Sequence, residues 1–196
     1  MPLLSSQPGL PLPLLLAKKE TMSNFKRVAA MNVAFGNPKG DPKAIDFDRI
    51  RKQSLNIADE LGELYSALGA SPELIKKVVA ELKRIAAQPT QDVDLDGVRD
   101  ALCDIHVFAY GAHHLMGIDA DKDMCAVVEG VMTRFVKDYN DMKATMALHT
   151  AKGVVHTYVE GEYPTAVLKS AFDQPDAPKG KFLKSASYQD TVFPPV

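Results

Sequence analysis

Asn56-Ile57-Ala58-Asp59-Glu60-Leu61-Gly62-Glu63-Leu64-Tyr65 is the stretch whose reading decides the fold. Ile57, Leu61, Leu64 and Leu68 recur on one helical face, and the period predicts a helix from about Asp46 to Leu68, stopped by Gly69. Glu60 and Glu63, three residues apart, point the same way beside that stripe. The stripe is expected to face a core, so the two carboxylates flank buried surface. Ionised groups at such a border cost desolvation energy unless cations neutralise them. Hard divalent cations such as Mg2+ take oxygen ligands of this kind. A solvated helix edge is the plain alternative, and an ExxE alone does not decide between the two.

A second acidic helix follows. Asp96 to Phe108 reads as its body, with Asp94 or Asp96 as N-cap, and it continues to about Met116 before Gly117. Asp100 and Asp104 are four residues apart and share a face, with Leu102, Ile105 and Phe108 nearby. Like charges at that spacing repel by a few tenths of a kcal/mol on an isolated helix. Two helices that each bring two acids to one edge would line a metal-binding groove between packed helices, as bundles do. The residues alone leave this groove and a pair of solvated acidic edges both open.

The rest of the chain supplies the frame. Ser23 to Phe35 reads as a first helix and Gly36 to Pro42 as a loop. Ser71-Pro72-Glu73 opens a helix running to about Ala87, with Ser as cap and Pro in the first position. Ile118-Asp119-Ala120-Asp121 opens another, with Met124, Val127, Val128, Val131, Met132 and Phe135 as its apolar positions, and Asp138 to Thr150 is read as helical too. From Gly153 the character changes. Val154 to Val159, Thr165 to Ser170 and Lys181 to Ser185 read as short strands. The expected fold is all-α, a helical bundle with a small C-terminal β appendage. The expected domains are a flexible leader over 1–22, a helical domain over 23–150, and a β-rich appendage and tail over 151–196. The leader carries Pro8, Pro11 and Pro13 and no basic start, unlike a signal peptide, and Met22 is a candidate start.

Hydrophobic residues make up 46% and charged residues 24% of the 196, an ordinary globular balance. A formal charge of -2 with no basic stripe argues against a nucleic-acid or membrane-surface partner. No apolar run approaches the roughly 18 residues of a membrane helix. Cys103 and Cys125 belong to no CxxC pair and are read as reduced packing residues of a cytoplasmic protein. His113 and His114, being adjacent, diverge by about 100° on a helix and cannot chelate one ion. The methionines from Met116 to Met146 read as core fillers.

With these residues located, the chain resembles the all-α nucleoside triphosphate pyrophosphohydrolases, the superfamily of MazG, the dimeric dUTPases and phosphoribosyl-ATP pyrophosphohydrolase, and especially its phage-type members. Asp59-Glu60-Leu61-Gly62-Glu63 resembles the family's EExxE, and Asp100 to Ile105 with Tyr110-Gly111 resembles its second acidic helix. Asn32 to Gly36, Gly117-Ile118-Asp119, Met132 to Phe135 and Gly180 to Ser185 look like its remaining signatures, so the likeness spans about Asn24 to Tyr188. Four positions depart from the pattern. Ala101 stands three before Asp104 where the family has Glu, Asp59 replaces the first Glu of EExxE, Val131 stands where close relatives often carry Asn, and Arg134 takes a Lys position.

The resemblance implies a MazG-like bundle that hydrolyses a (d)NTP to a (d)NMP and pyrophosphate with Mg2+, or Mn2+ in its place. It implies Glu60, Glu63 and Asp104 as metal ligands, Asp100 as a fourth or outer ligand, and Glu60 or Glu63 as the base. It also implies substrate contacts at Asn32, Arg134, Lys143, Lys169 and Lys184, selectivity for a purine such as dGTP or dATP, and a homodimer or homotetramer. Phosphoribosyl-ATP as substrate and an inert helical interaction module are the alternatives.

Overall fold

The computed structural model describes residues 22–88 and 92–195; the leader expected over 1–22 lies, Met22 aside, outside them. Among the described residues the chain is mostly helical, with one small three-stranded antiparallel sheet. The helices are α1 (Asn24–Ala34), α2 (Phe47–Ala67), α3 (Pro72–Ala86), α4 (Leu95–Met116), α5 (Ala120–Met132) and α6 (Tyr139–Ala151). The strands are β1 (Thr157–Glu160), β2 (Val167–Ser170) and β3 (Phe182–Leu183), in the order β1-β2-β3. None of these helices is long and apolar enough to cross a membrane.

Local chemistry sets the helix ends. The side chains of Ser23, Asp46, Asp119 and Asp138 accept backbone N–H bonds in the first turns of α1, α2, α5 and α6, and Asp94 does the same for Gly97 at the start of α4. Ser71 departs from the expected cap: its hydroxyl donates to Glu73 Oε2 at 2.8 Å, and Pro72 starts α3. Gly69 (φ 84°) and Gly117 (φ 74°) take the left-handed conformation that ends the two acid-bearing helices.

Contacts divide the chain into two compact units, residues 40–106 and residues 1–39 with 107–196, and the divide falls inside α4. In the first, α2 packs on α3. The expected packing face is corrected here. Leu61, Leu64 and Leu68 are 41%, 54% and 71% exposed, and the buried residues of α2 are Ala58 and Gly62. Small residues let the two backbones approach: a Cβ on Gly62 would stand 2.7 Å from Val79 Cγ2.

In the second unit, α1 packs on α5 and α6 on β2. Val136, Met142, Val154, Ala166, Leu168, Ala177 and Leu183 form one core cluster. Val128, Met132, Phe135 and Val167 form another, against which Phe35 and Phe182 pack. The Phe35 ring lies 4.5 Å from Phe135 and 5.3 Å from Phe182. The first strand starts later than its β-branched run suggests. Gln174 Oε1 accepts the N–H groups of Val155 and His156, so a side chain takes the bonds a neighbouring strand would make. Cys103 is exposed, which corrects its reading as a packing residue; it and Cys125 are free thiols.

Candidate metal site

Glu60 and Glu63 lie on α2 and Asp100 and Asp104 on α4, all four exposed and all within residues 40–106. The other acids of this unit are engaged. Asp46 and Asp94 cap helices, and Asp41 accepts the N–H of Lys43. Asp48 pairs with Arg51, Glu81 with Arg84 at 2.6 Å and Asp96 with Arg99 at 3.0 Å, each three residues apart. Glu73 accepts from Ser71, which lowers its pKa, as the Arg84 bond does for Glu81. Asp59, the departure from EExxE, pairs with Lys83 at 2.7 Å and so has a structural task of its own.

Among the described residues of the unit, Asp92 apart, the acids without a hydrogen-bond or ion-pair partner are Glu60, Glu63, Asp100 and Asp104. The sequence carries the cause. None of the four has a basic residue three or four positions away on either side, whereas Asp48, Glu81 and Asp96 each do. A solvated acidic edge gains from such pairs, so their lack disfavours the plain reading. A single chain nonetheless does not gather the four. Among the described residues no group of three or more His, Cys, Asp or Glu side chains could hold a metal ion, and α2 has α3 as its packed neighbour.

The expected substrate contacts all lie in the other unit. Asn32 donates its amide to Val28 O at 2.9 Å, leaving its carbonyl oxygen for other partners. Lys143 lies over the Tyr139 ring at 4.9 Å. Lys169 is taken by Glu160 at 2.7 Å and sits over Phe182, a cross-strand arrangement that gives it a structural role. Lys184 Nζ lies 3.8 Å from the Tyr188 ring centroid and 3.6 Å from Asp190. Arg134 also faces Tyr188, at 5.8 Å, and its buried Nε has no hydrogen-bond partner. Tyr188 escaped the sequence reading: it stands far along the chain from Arg134, and no local pattern joins them.

The helices with the acids also expose apolar surface. Leu61, Tyr65, Leu74 and Val78 line an apolar groove of about 220 Å3 along α2 and α3. Leu102 and Ile105 of α4 are exposed beside Asp104. No family model matches the chain, and comparison with curated proteins and with solved structures finds no match.

Proposed function

We propose that this protein is a metal-dependent nucleoside triphosphate pyrophosphohydrolase of MazG-like helical fold. The observation that carries the reading is the set of unpartnered carboxylates at Glu60, Glu63, Asp100 and Asp104, in a unit whose other acids, Asp92 apart, have structural partners. As a donor set these oxygens fit a hard divalent cation such as Mg2+, with Mn2+ as substitute. Because one chain does not gather them, we assign their assembly to a second copy, in a homodimer or a dimer of dimers. That copy would cover the apolar groove on α2 and α3 and the exposed Leu102 and Ile105 of α4.

The chemistry follows from charge. A triphosphate carries about four negative charges at neutral pH, and an all-carboxylate site repels it in the absence of cations. The bound metal would supply neutralisation of the phosphate oxygens and an attacking water of lowered pKa. Glu60 or Glu63, not fully engaged by metal, would accept the water's proton as general base. Water adds between the α and β phosphates, giving the monophosphate and pyrophosphate.

Pyrophosphate release from dNTPs, NTPs and phosphoribosyl-ATP, with Mg2+ or Mn2+ and with EDTA, tests the reading. Release from at least one dNTP, lost in EDTA, is expected, with a purine such as dGTP or dATP preferred. Release from phosphoribosyl-ATP alone would move the assignment to that substrate. No release from any member of the panel would leave an inert helical interaction module.

A further inference from the structure

The small sheet ends in an open edge. In the order β1-β2-β3, β1 has one neighbour, paired antiparallel with Thr157 opposite Ser170 and Glu160 opposite Val167. Backbone bonds fix which of its residues face outward. The Ser170 N–H donates to Lys181 O at 3.1 Å, on the β3 side, and the Ala171 N–H to His156 O at 2.9 Å, on the β1 side. Successive residues of a strand bond to alternate sides, so Lys169 and Val167 also turn to β1, and Tyr158 and Glu160 turn to β2. Thr157 and Val159 therefore present their N–H and C=O groups away from the sheet, where these groups have no partner among the described residues.

Of the devices that blunt a natural edge, β1 has shortness alone. Thr157-Tyr158-Val159-Glu160 carries no Lys, no Pro and no bulge. Tyr158 and Val159 are exposed. Glu160 accepts Lys169 Nζ at 2.7 Å through Oε1, which leaves Oε2 open. His156, just before the strand, is exposed and packs edge-on against Phe172 at 5.7 Å between ring centroids. Its ring nitrogens have no hydrogen-bond partner among the described residues.

We infer that β1 is the docking edge for a second copy of this chain, whose own β1 adds antiparallel about a two-fold axis at Tyr158. In that register Thr157 exchanges both backbone bonds with the partner's Val159, and Val159 with the partner's Thr157, so every outward group of the strand is met. His156 then stands directly opposite the partner's Glu160, on the face that Tyr158 shares, and an imidazole N–H meets the open carboxylate oxygen. Moving the axis to Thr157 or Val159 sets an outward residue against one outside the partner's strand and takes His156 away from Glu160. The contact uses none of the four acids and no part of the α2–α3 groove, so it stands apart from the hydrolase reading. Beside the helix contact, it supplies the second contact that a dimer of dimers needs.

Sedimentation velocity of the full chain over a concentration series, together with cysteine cross-linking, tests the edge. In a Cys103→Ser, Cys125→Ser background, Tyr158→Cys is expected to form a disulfide-linked dimer on mild oxidation, because the axis brings the two Cα atoms to about 4.5 Å, within disulfide reach. Glu160→Cys in the same background should not, since its two Cα atoms stand about 13 Å apart along the paired strands at about 3.3 Å per residue. Val159→Pro removes an outward N–H and leaves the β1–β2 ladder whole, so the largest species should halve in mass at an unchanged melting temperature. His156→Glu, which leaves the backbone untouched, sets two carboxylates opposite each other and should weaken association several-fold, whereas His156→Lys should tighten it. This pair is read in place of Val159→Pro should that variant unfold. A wild type that stays monomeric, a folded Val159→Pro that associates as the wild type does, or Tyr158→Cys cross-linking no faster than Glu160→Cys overturns the pairing. His156→Glu associating as tightly as His156→Lys overturns the register. A chain whose Tyr158→Cys variant cross-links, yet which releases pyrophosphate from no nucleotide, keeps this edge and loses the hydrolase reading.

Discussion

Gly62→Ala tests the close approach of α2 and α3 that sets the acid-bearing helix in its unit. A Cβ at position 62 would stand 2.7 Å from Val79 Cγ2 and 3.3 Å from Ile75 Cγ2. Carbon atoms prefer about 3.5–4.0 Å, so the first contact must open by about 1 Å. Val79 cannot swing clear cheaply, because a β-branched side chain on a helix has one strongly preferred rotamer. The helices must move apart instead, at the roughly 1–3 kcal/mol typical of overpacking. Against this stands the gain of about 1 kcal/mol from replacing Gly by Ala inside a helix. The balance is a destabilisation of about 1 kcal/mol, read as a lower urea midpoint at unchanged slope. Val79→Ala removes the obstructing methyl, so the double variant should be more stable than the two single effects add up to, with a coupling of at least about 0.5 kcal/mol. A higher midpoint for Gly62→Ala, or strict additivity in the double variant, would refute the close-approach argument.

Two other outcomes follow from named side chains. Glu60→Gln, Glu63→Gln and Asp104→Asn should each lower pyrophosphate release by about a hundredfold or more, and Asp100→Asn by about tenfold as an outer ligand, while apo melting temperatures hold or rise because carboxylate repulsion is relieved; wild-type turnover in both Glu60→Gln and Asp104→Asn would sink the metal assignment. The backbone N–H of Lys122, first among its neighbours, holds the Asp119 carboxyl below its ordinary value of 3.8, so its contribution to folding is present above that pH and lost as pH falls through the lower folded value. Asp119→Asn caps without titrating, and its stability gap to the wild type, measured by urea unfolding from about pH 5 downward, should shrink across that window; a constant gap would show the charge contributes nothing.

The helices were legible because their ends are local. Asp46, Asp119 and Asp138 each accept a bond two or three residues along, and Gly69 and Gly117 stop chains that a side chain would strain. Which face packs was not legible. Periodicity marked Leu61, Leu64 and Leu68 as residues that leave water, but the approach of α3 is decided by the smallest residues, Ala58 and Gly62. The start of β1 was hidden for a related reason, since Gln174 supplies its bonds from a later loop. The departure at Asp59 was visible in the sequence, but its ion pair with Lys83, a residue of the next helix, was not. The company of Arg134 came into view only once the chain had folded Tyr188 over it.

The same helices carry two unmet needs, and their coincidence bears on the proposed dimer. Leu61 and Leu64 of α2 and Leu102 and Ile105 of α4 are exposed, and burying such surface favours association by about 25 cal/mol per Å2. Glu60, Glu63, Asp100 and Asp104 lie on the same helices without a basic residue three or four positions away. A second copy that covered the leucines alone would press carboxylates into a drier environment and toward each other, and both effects oppose it. A second copy that closed around a divalent cation would meet both needs in one step, because the apolar contacts would hold the helices together while the metal neutralised the acids. Had the acids served only solubility, basic residues one turn away would have cost the helices nothing and stabilised them, as Asp48 with Arg51 and Glu81 with Arg84 do elsewhere in the same unit. The spacing that leaves these four acids unpaired within one chain is therefore the feature that most favours a cation between copies.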